Sequence, residues 1–308
     1  MPGLRLACFD TEGLAVTTER SRMTERLVLQ ALAVRDTAAD VVALLGVSDP
    51  GALELFVRAL DRATGRHYRH ALWLGGNDAE AGHPALIAQV PIVHARSHRK
   101  LGFAEIARTP PHDVEPDTSV FSRDCLEATV EEQGRRLDLF VCHFEPSASG
   151  SASLPGCDPG RRRRQAEAAA VRRVIEQHYA EPADAQWVVL GNLADQPEDA
   201  RGQPRPDHAL GALLDDGFAV DLTGPGPLCW THFDLAANRY GRPDQILVSP
   251  ALARRNQGSR ADIIRAGLPF RADRYTGPRY PRVGWLSPAA SWHCPVALDI
   301  DFSGAAGA

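Results

Sequence analysis

The side chains able to do chemistry in this chain are scattered rather than gathered into one signature. Asp10 follows an apolar run, Leu4 to Phe9, and opens the turn Asp10-Thr11-Glu12-Gly13. An aspartate in that place is either a turn former bonding its own backbone or a carboxylate held at a strand end for a cation. Arg161 to Arg164 could bind phosphate, but a run of arginines after a Gly/Pro loop reads better as the solvated start of a helix. Cations at a helix N-terminus oppose its dipole, so an acidic neighbour or an anion is expected nearby. His67, His70, His94 and His98 lack the fixed spacing of a zinc site and read as surface residues. Cys8, Cys125, Cys142, Cys157, Cys229 and Cys294 include no C-x-x-C pair. They read as reduced structural thiols, which points to the cytoplasm.

The elements that must position these residues are strands interleaved with helices. Leu4 to Phe9 and Asp40 to Val47 read as buried strands, and Leu86 to Val93 as a third. Residues 22–34 carry Leu27, Val28, Ala31 and Leu32 at helical spacing. Ser48-Asp49-Pro50 predicts a cap with proline at the first helical position, ahead of Leu53, Phe56, Val57 and Leu60. Residues 119–130 and 136–144 flank Gln133-Gly134 and read as a hairpin that could set Cys125 opposite Cys142, either as a disulfide or, favoured in a cytosolic protein, as a reduced packed pair. Arg161 to Tyr179 reads as a helix, and Trp187 to Leu193 as a strand. The last strands are expected at 228–232, 244–248 and 294–302. Residues 146–160, 195–206 and 270–290 read as surface loops. Strands in hairpins, with helices between, favour an α/β fold with mixed sheets over a doubly wound parallel one. No repeat or linker divides the chain, so residues 1–308 are expected to form a single domain.

The 308 residues carry a formal net charge of −5. Lys100 is the only lysine, so the basic residues are nearly all arginine. An acidic balance argues against a general nucleic-acid binder, although a locally basic groove is compatible with it. No run of about 18 apolar residues is present, so no membrane span is expected.

Seven stretches line up, in order, with one superfamily. Residues 4–14 (LRLACFDTEGL) resemble an opening strand of the form "lrlatwNveGL", and 39–47 (ADVVALLGV) resemble "aDVialQEV". Gly76-Asn77-Asp78 and residues 120–126 (VFSRDCL) resemble "GND" and "vFsRdcLe". Residues 141–144 (VCHF), 189–195 (VLGNLAD) and 291–296 (SWHCPV) resemble "vnHF", "vlGDfND" and "SDHcPV". The chain thus resembles the endonuclease/exonuclease/phosphatase superfamily along nearly its whole length. The resemblance implies an α/β four-layer sandwich of two packed mixed β-sheets flanked by helices. It also implies hydrolysis of phosphate esters assisted by Mg²⁺, or by Mn²⁺.

Such chemistry needs charge neutralisation, a positioned water and a stabilised leaving oxygen. The resemblance places catalytic groups at His143, His293, Asp78 and, in degenerate form, Asn192, while Asp10 and Asp195 are the carboxylates that would hold a metal in a rearranged site. Asp244, in a stretch similar to the family's "lDyilvS", is read as a buttress to the site. Several positions depart from the pattern. Gly46 stands at the family's metal-binding glutamate, with Leu45 before it. Asn192 replaces the water-positioning aspartate and cannot take up a proton. Ala194 replaces a phosphate-contacting asparagine. Trp292 replaces an aspartate, which leaves His293 without the acid expected to orient its ring. With Gly46, Asn192, Ala194 and Trp292 all failing at one site, the chain reads as a weak or inactive relative that serves as a binding or complex-forming module. The alternative is a working metal-dependent phosphodiesterase or nuclease with a rearranged site. The module would take a phosphate ester, nucleic acid or a protein partner, and would need Mg²⁺ or Mn²⁺ if active and possibly no cofactor otherwise.

Overall fold

Side chains alternate across a strand with period two and recur along a helix with period 3.6, and these two rhythms sort the apolar residues into layers. The computed structural model describes residues 3–14, 20–80, 82–110, 118–147, 160–199, 202–226 and 228–303. Its first half runs β1 (Gly3–Leu14), α1 (Arg20–Thr37), β2 (Val41–Val47), α2 (Pro50–Thr64), β3 (His70–Trp73), β4 (His83–Ala88) and β5 (Ile92–Ser97). A 3-10 turn at Phe103–Ile106 leads to β6 (Asp124–Glu132), β7 (Arg135–His143), α3 (Arg161–His178) and β8 (Trp187–Asn192). The rest is α4 (Gly211–Leu214), β9 (Val220–Asp221), β10 (His232–Asp234), β11 (Arg239–Gly241), β12 (Asp244–Val248), α5 (Pro250–Arg255), β13 (Asp262–Ile263) and β14 (Val296–Asp301).

One six-stranded sheet has the order β13-β14-β1-β2-β4-β3, the other β5-β6-β7-β8-β12-β9, and β10-β11 form a separate ribbon. Both sheets are mixed, with β1 parallel to β2 and β7 parallel to β8 among antiparallel neighbours. Leu4, Leu6, Cys8, Val41, Ala43 and Leu45 from the first sheet pack on Leu137, Leu139, Val141, Val188, Leu190 and Ile246 from the second. The opposite face of the first sheet packs Phe9, Val42 and Leu44 on Leu29, Ala33, Leu53 and Phe56 of α1 and α2. That of the second packs Phe140, Val189 and Leu247 on Ala170, Val171 and Ile175 of α3. Helix, sheet, sheet and helix therefore form four layers. The central strands are apolar on both sides, so β2 and β8 are buried throughout.

Local signals explain the helix ends. Asp49 caps α2 by accepting from the Ala52 amide at 2.9 Å, with Pro50 at the first position and Gly65 in the left-handed conformation beyond the end. The expected hairpin is β6-β7, in which Cys125 and Cys142 are register partners with sulfurs 3.5 Å apart. The expected strand at 86–93 is instead β4 and β5, which lie in different sheets. The expected loop at 146–160 falls largely outside the described residues.

Two surface readings are corrected. Arg164 is buried, with Nη1 donating to the carbonyls of Glu145 (3.3 Å) and Pro146 (3.2 Å). The segment that leaves β7 lies against this first turn, so only part of the arginine run is solvated. Acidic neighbours are present as expected, Asp207 beside Arg161 and Glu145 beside Arg163. His98 is also buried, 2.7 Å from Glu127, whose carboxylate points away from the intersheet core and is met by His178 as well at 3.1 Å. A buried carboxylate needs partners, and the turn after β5 supplies one.

Candidate functional site

The intersheet core ends in a polar rim. Period two carries Leu4, Leu6 and Cys8 on to Asp10; Leu137, Leu139 and Val141 on to His143; and Val188 and Leu190 on to Asn192. On β12 the same face runs backward from Val248 and Ile246 to Asp244. Register makes these ends coincide, because His143 and Asp244 both pair with Asn192. His293 arrives from the segment just before β14, where its backbone bridges to His232. Thus one end of both sheets gathers two acids, an amide and an imidazole on strand ends, and the segment before β14 adds the second imidazole.

Asp10 is the hub. Its Oδ2 accepts from Asn192 Nδ2 at 2.8 Å and lies 3.3 Å from His143 Nε2 and 3.9 Å from His293 Nε2. Its Oδ1 accepts from the Glu12 amide at 2.9 Å. Burial alone would raise the Asp10 carboxyl, but the imidazoles of His143 and His293 outweigh it and hold the group well below the usual carboxylate range. His293 turns its other nitrogen, Nδ1, onto Asp244, 2.9 and 3.1 Å from the two carboxylate oxygens. Asp244 is fixed in turn by the Thr231 hydroxyl at 2.7 Å. Burial pushes His293 down, but Asp244 and Asp10 on either side reverse this and raise it to about 10, so it is an imidazolium at neutral pH. His143 goes the other way: burial lowers it, with Arg123 assisting, and Nδ1 has no described partner.

The expectation that His293 lacks an orienting acid is therefore corrected. Asp244, the buttress read from the sequence, fixes the ring from across the second sheet. Trp292 takes no part in that. Its ring centroid lies 5.8 Å from that of Phe233, in the aromatic cluster of Trp230, Phe233 and Leu268, and its backbone amide donates to Glu12 Oε2 at 2.7 Å. Ser291 packs its hydroxyl against the same carboxylate oxygen and the Asp10 carbonyl.

The other expected residues are dispersed. Asp195 makes no described bond to Asp10 or either histidine. Its carboxylate meets Arg205 (2.9 Å) and the amides of Gln196 and Ala209, pinning the 195–209 loop. Asp78 sits on a half-exposed turn, where it accepts from the Glu80 amide and lies 3.9 Å from Arg123 Nε. Ala194 adopts a left-handed conformation, its amide held by Asn192 Oδ1. Gly46 also has positive φ, +80°, and a Cβ there would come within 2.9 Å of the Gly13 nitrogen. The sequence reading missed two residues. Arg123 donates to the Phe144 carbonyl beside His143. His232 stacks on His293, ring centroids 4.0 Å apart, and is pushed down to about 2 by burial and by that imidazolium. Arg123 lies inside the VFSRDCL motif and could have been singled out, whereas only the fold brings His232 to His293.

These donors and acceptors also decide what the centre can hold. Magnesium takes hard oxygen ligands, usually one or two carboxylates with free oxygens, and keeps several waters. Among the described residues, Asp10 is the one carboxylate within 4 Å of both imidazoles, and both of its oxygens are already engaged. Glu12 is spent on Ser291 and Trp292. Among the described residues, no three His, Cys, Asp or Glu side chains are grouped so as to hold a metal ion. The residues present do not fit the cation that the sequence resemblance implies.

The arrangement of layers has counterparts among solved structures. Sphingomyelinase C from Streptomyces griseocarneus superposes with a TM-score of 0.62 at 15% identity, over 98% of this chain and 100% of that one. Truncated Caenorhabditis elegans TDP2 gives 0.59 at 14% identity, over 97% of each chain. An endonuclease/exonuclease/phosphatase family protein from Bacteroides thetaiotaomicron gives 0.58 at 14% identity, again over 97% of each. The fold is DNase I-like. No family model matches the chain, and no curated protein matches it by sequence. Within the DNase I-like fold, the amide and carboxylate have changed strands relative to the motifs the sequence resembles. Those motifs carry Asn on the first strand and Asp after the "vlG" strand, whereas this chain has Asp10 and Asn192, joined by a 2.8 Å hydrogen bond.

Proposed function

We propose that this DNase I-like chain is hydrolytically weak or silent and is retained as a binding or complex-forming module. One observation carries the reading: the groups that the resemblance assigns to phosphate and proton handling, His143, Asn192 and His293, are turned onto the carboxylate of Asp10. An internal anion takes up the donors that a substrate phosphate would need. Two unit charges of like sign about 4 Å apart repel by about 4 kcal/mol at an effective dielectric near 20, and the His293 imidazolium that would offset this is already shared between Asp10 and Asp244. Arg123, whose charge acts on His143, has its Nη1 engaged by the Phe144 carbonyl. A cytoplasmic setting goes with this reading, supported by described cysteines that are free and mostly buried.

A second reading, a working phosphodiesterase acting on a phosphate ester or nucleic acid, is favoured by the Asp244–His293 pair. A carboxylate on Nδ1 sets the orientation an imidazole needs for proton transfer. Hydrolysis of a generic phosphodiester and of supercoiled DNA, in Mg²⁺ and in Mn²⁺, separates the two when run against His293→Ala. Turnover no greater than that of the folded variant is expected. Metal-dependent turnover that His293→Ala abolishes would establish the second reading instead.

A further inference from the structure

Away from the Asp10 cluster, large apolar side chains surface together in one region. Leu235, Phe270, Trp285 and Leu286 are 42%, 46%, 63% and 47% exposed, on segments that lie side by side. The Phe270 amide donates to the Gly284 carbonyl (3.0 Å) and the Arg271 amide to that of Trp285 (2.9 Å). Arg271 Nη2 reaches Asn238 Oδ1 at 2.7 Å, which ties in the β10-β11 turn that carries Leu235. Beneath lie Trp230, Phe233 and Tyr240, packed ring against ring. Single exposed apolar residues are ordinary, but several on adjoining segments mark an interaction surface.

The charge around this face runs against that of the molecule. Segments 228–241 and 265–286 contain six arginines and two aspartates, with no lysine or glutamate, in a chain whose formal net charge is −5. Arg239, Arg274 and Arg282 are exposed, with Arg282 3.8 Å from Glu25 of α1, and Arg279 lies over the Phe270 ring at 4.6 Å. Of the two acids, Asp273 accepts from the Tyr240 hydroxyl and Asp234 from the Ala237 amide.

We propose that this face docks on an anionic lipid surface. Trp285 and Leu286 enter the headgroup boundary, Phe270 and Leu235 lie beside them, and the surrounding arginines meet lipid phosphates. The mixture of side chains selects this occupant. Tryptophan and arginine are at home at a bilayer interface, and leucine gains by reaching the acyl boundary. A nucleic-acid strand would engage the arginines and the flat rings but would leave Leu235 and Leu286 without an apolar partner. The acidic remainder of the molecule is repelled by the same surface, so the approach is oriented as well as attractive. This inference does not depend on whether the Asp10 cluster hydrolyses anything.

Co-sedimentation with vesicles tests it. The full chain is expected to pellet with phosphatidylcholine vesicles containing phosphatidylglycerol and to stay in solution with phosphatidylcholine alone. Binding weakens as salt rises, and tryptophan emission shifts to the blue on binding. Trp285→Ser combined with Leu286→Ser replaces two exposed side chains and leaves the fold intact by circular dichroism. It is expected to lose about tenfold or more in partitioning, together with the blue shift. Failure of the parent chain to bind anionic vesicles overturns the proposal, as does equal binding by the double variant. Binding of a single-stranded oligonucleotide that depends on Trp285, with no vesicle partitioning, assigns the face to nucleic acid and overturns it too.

Discussion

Replacing Asp10 by asparagine removes the anion on which His143, Asn192 and His293 converge. The single variant is expected to be less stable, because His293 and its neighbours lose the charge that compensates them, at a cost of several kcal/mol for a broken buried pair. Adding Asn192→Asp returns the carboxylate one hydrogen bond away, so the double exchange should recover part of the loss. A coupling energy of about 0.5–3 kcal/mol from urea unfolding of all four proteins is expected, and additivity would show that the pair is not a unit. His293 gives a second prediction. Its folded value, about 10, stands above the ordinary histidine value near 6.5, so the native state binds the extra proton between these limits. The stabilisation is complete below about pH 6.5 and drains away as pH rises through 10, by at most about 1.4 kcal/mol per unit. Melting temperature should therefore fall more steeply from pH 7 to 10 in the parent chain than in His293→Gln, and parallel profiles would contradict it. At this scale the sequence exposed His143, His293, Asp10 and Asn192, but not His232. It misled at position 292, because the acid that orients His293 comes from a residue 49 positions away, and strand register rather than chain neighbourhood brings it there.

Gly46 shows why the lost glutamate cannot simply be put back. Between Asp10 and Leu14 on β1, and between Leu44 and Val47 on β2, the register shifts, and the extra residues are absorbed in a bulge. Gly46 takes φ +80° there, close to the Gly13 backbone, and a Cβ on Gly82 would strike the Gly46 carbonyl group at 2.7 Å or less. Three glycines thus let three backbone segments touch. Gly46→Glu is expected to destabilise by about 1–3 kcal/mol, without creating divalent-cation binding detectable by calorimetry. Stability at or above the parent's would mean that the bulge relaxes and the position is open to a ligand. The longer strands and helices were legible, since hydrophobic period, the Asp49-Pro50 cap and the Gln133-Gly134 turn are local signals, but the strand expected at 228–232 starts only at His232 and the short β3, β9, β11 and β13 were not read. The break between β4 and β5, and the bulge, were not, because pairing partners far along the chain decide them.

For the whole molecule, the sequence resemblance supplied the four-layer sandwich, which hydrophobic period alone could not order into two sheets. Because both sheets share one core through Leu6, Leu45, Leu139 and Leu190, unfolding is expected as one cooperative transition by calorimetry. Leu139→Ala should lower stability by about 2–5 kcal/mol without splitting it. Two separated transitions would contradict a single cooperative unit. No helix among the described residues is long and apolar enough to cross a membrane. The same core delivers the polar rim, since Asp10, His143, Asn192 and Asp244 continue its inward-facing positions at one end. Calorimetric titration with inorganic phosphate, on the parent chain and on folded Asp10→Asn, asks most directly whether Asp10 fills the place of a substrate phosphate there. No measurable binding by the parent and at least tenfold tighter binding by the variant are predicted, whereas tight binding by the parent that Asp10→Asn leaves unchanged would contradict the account.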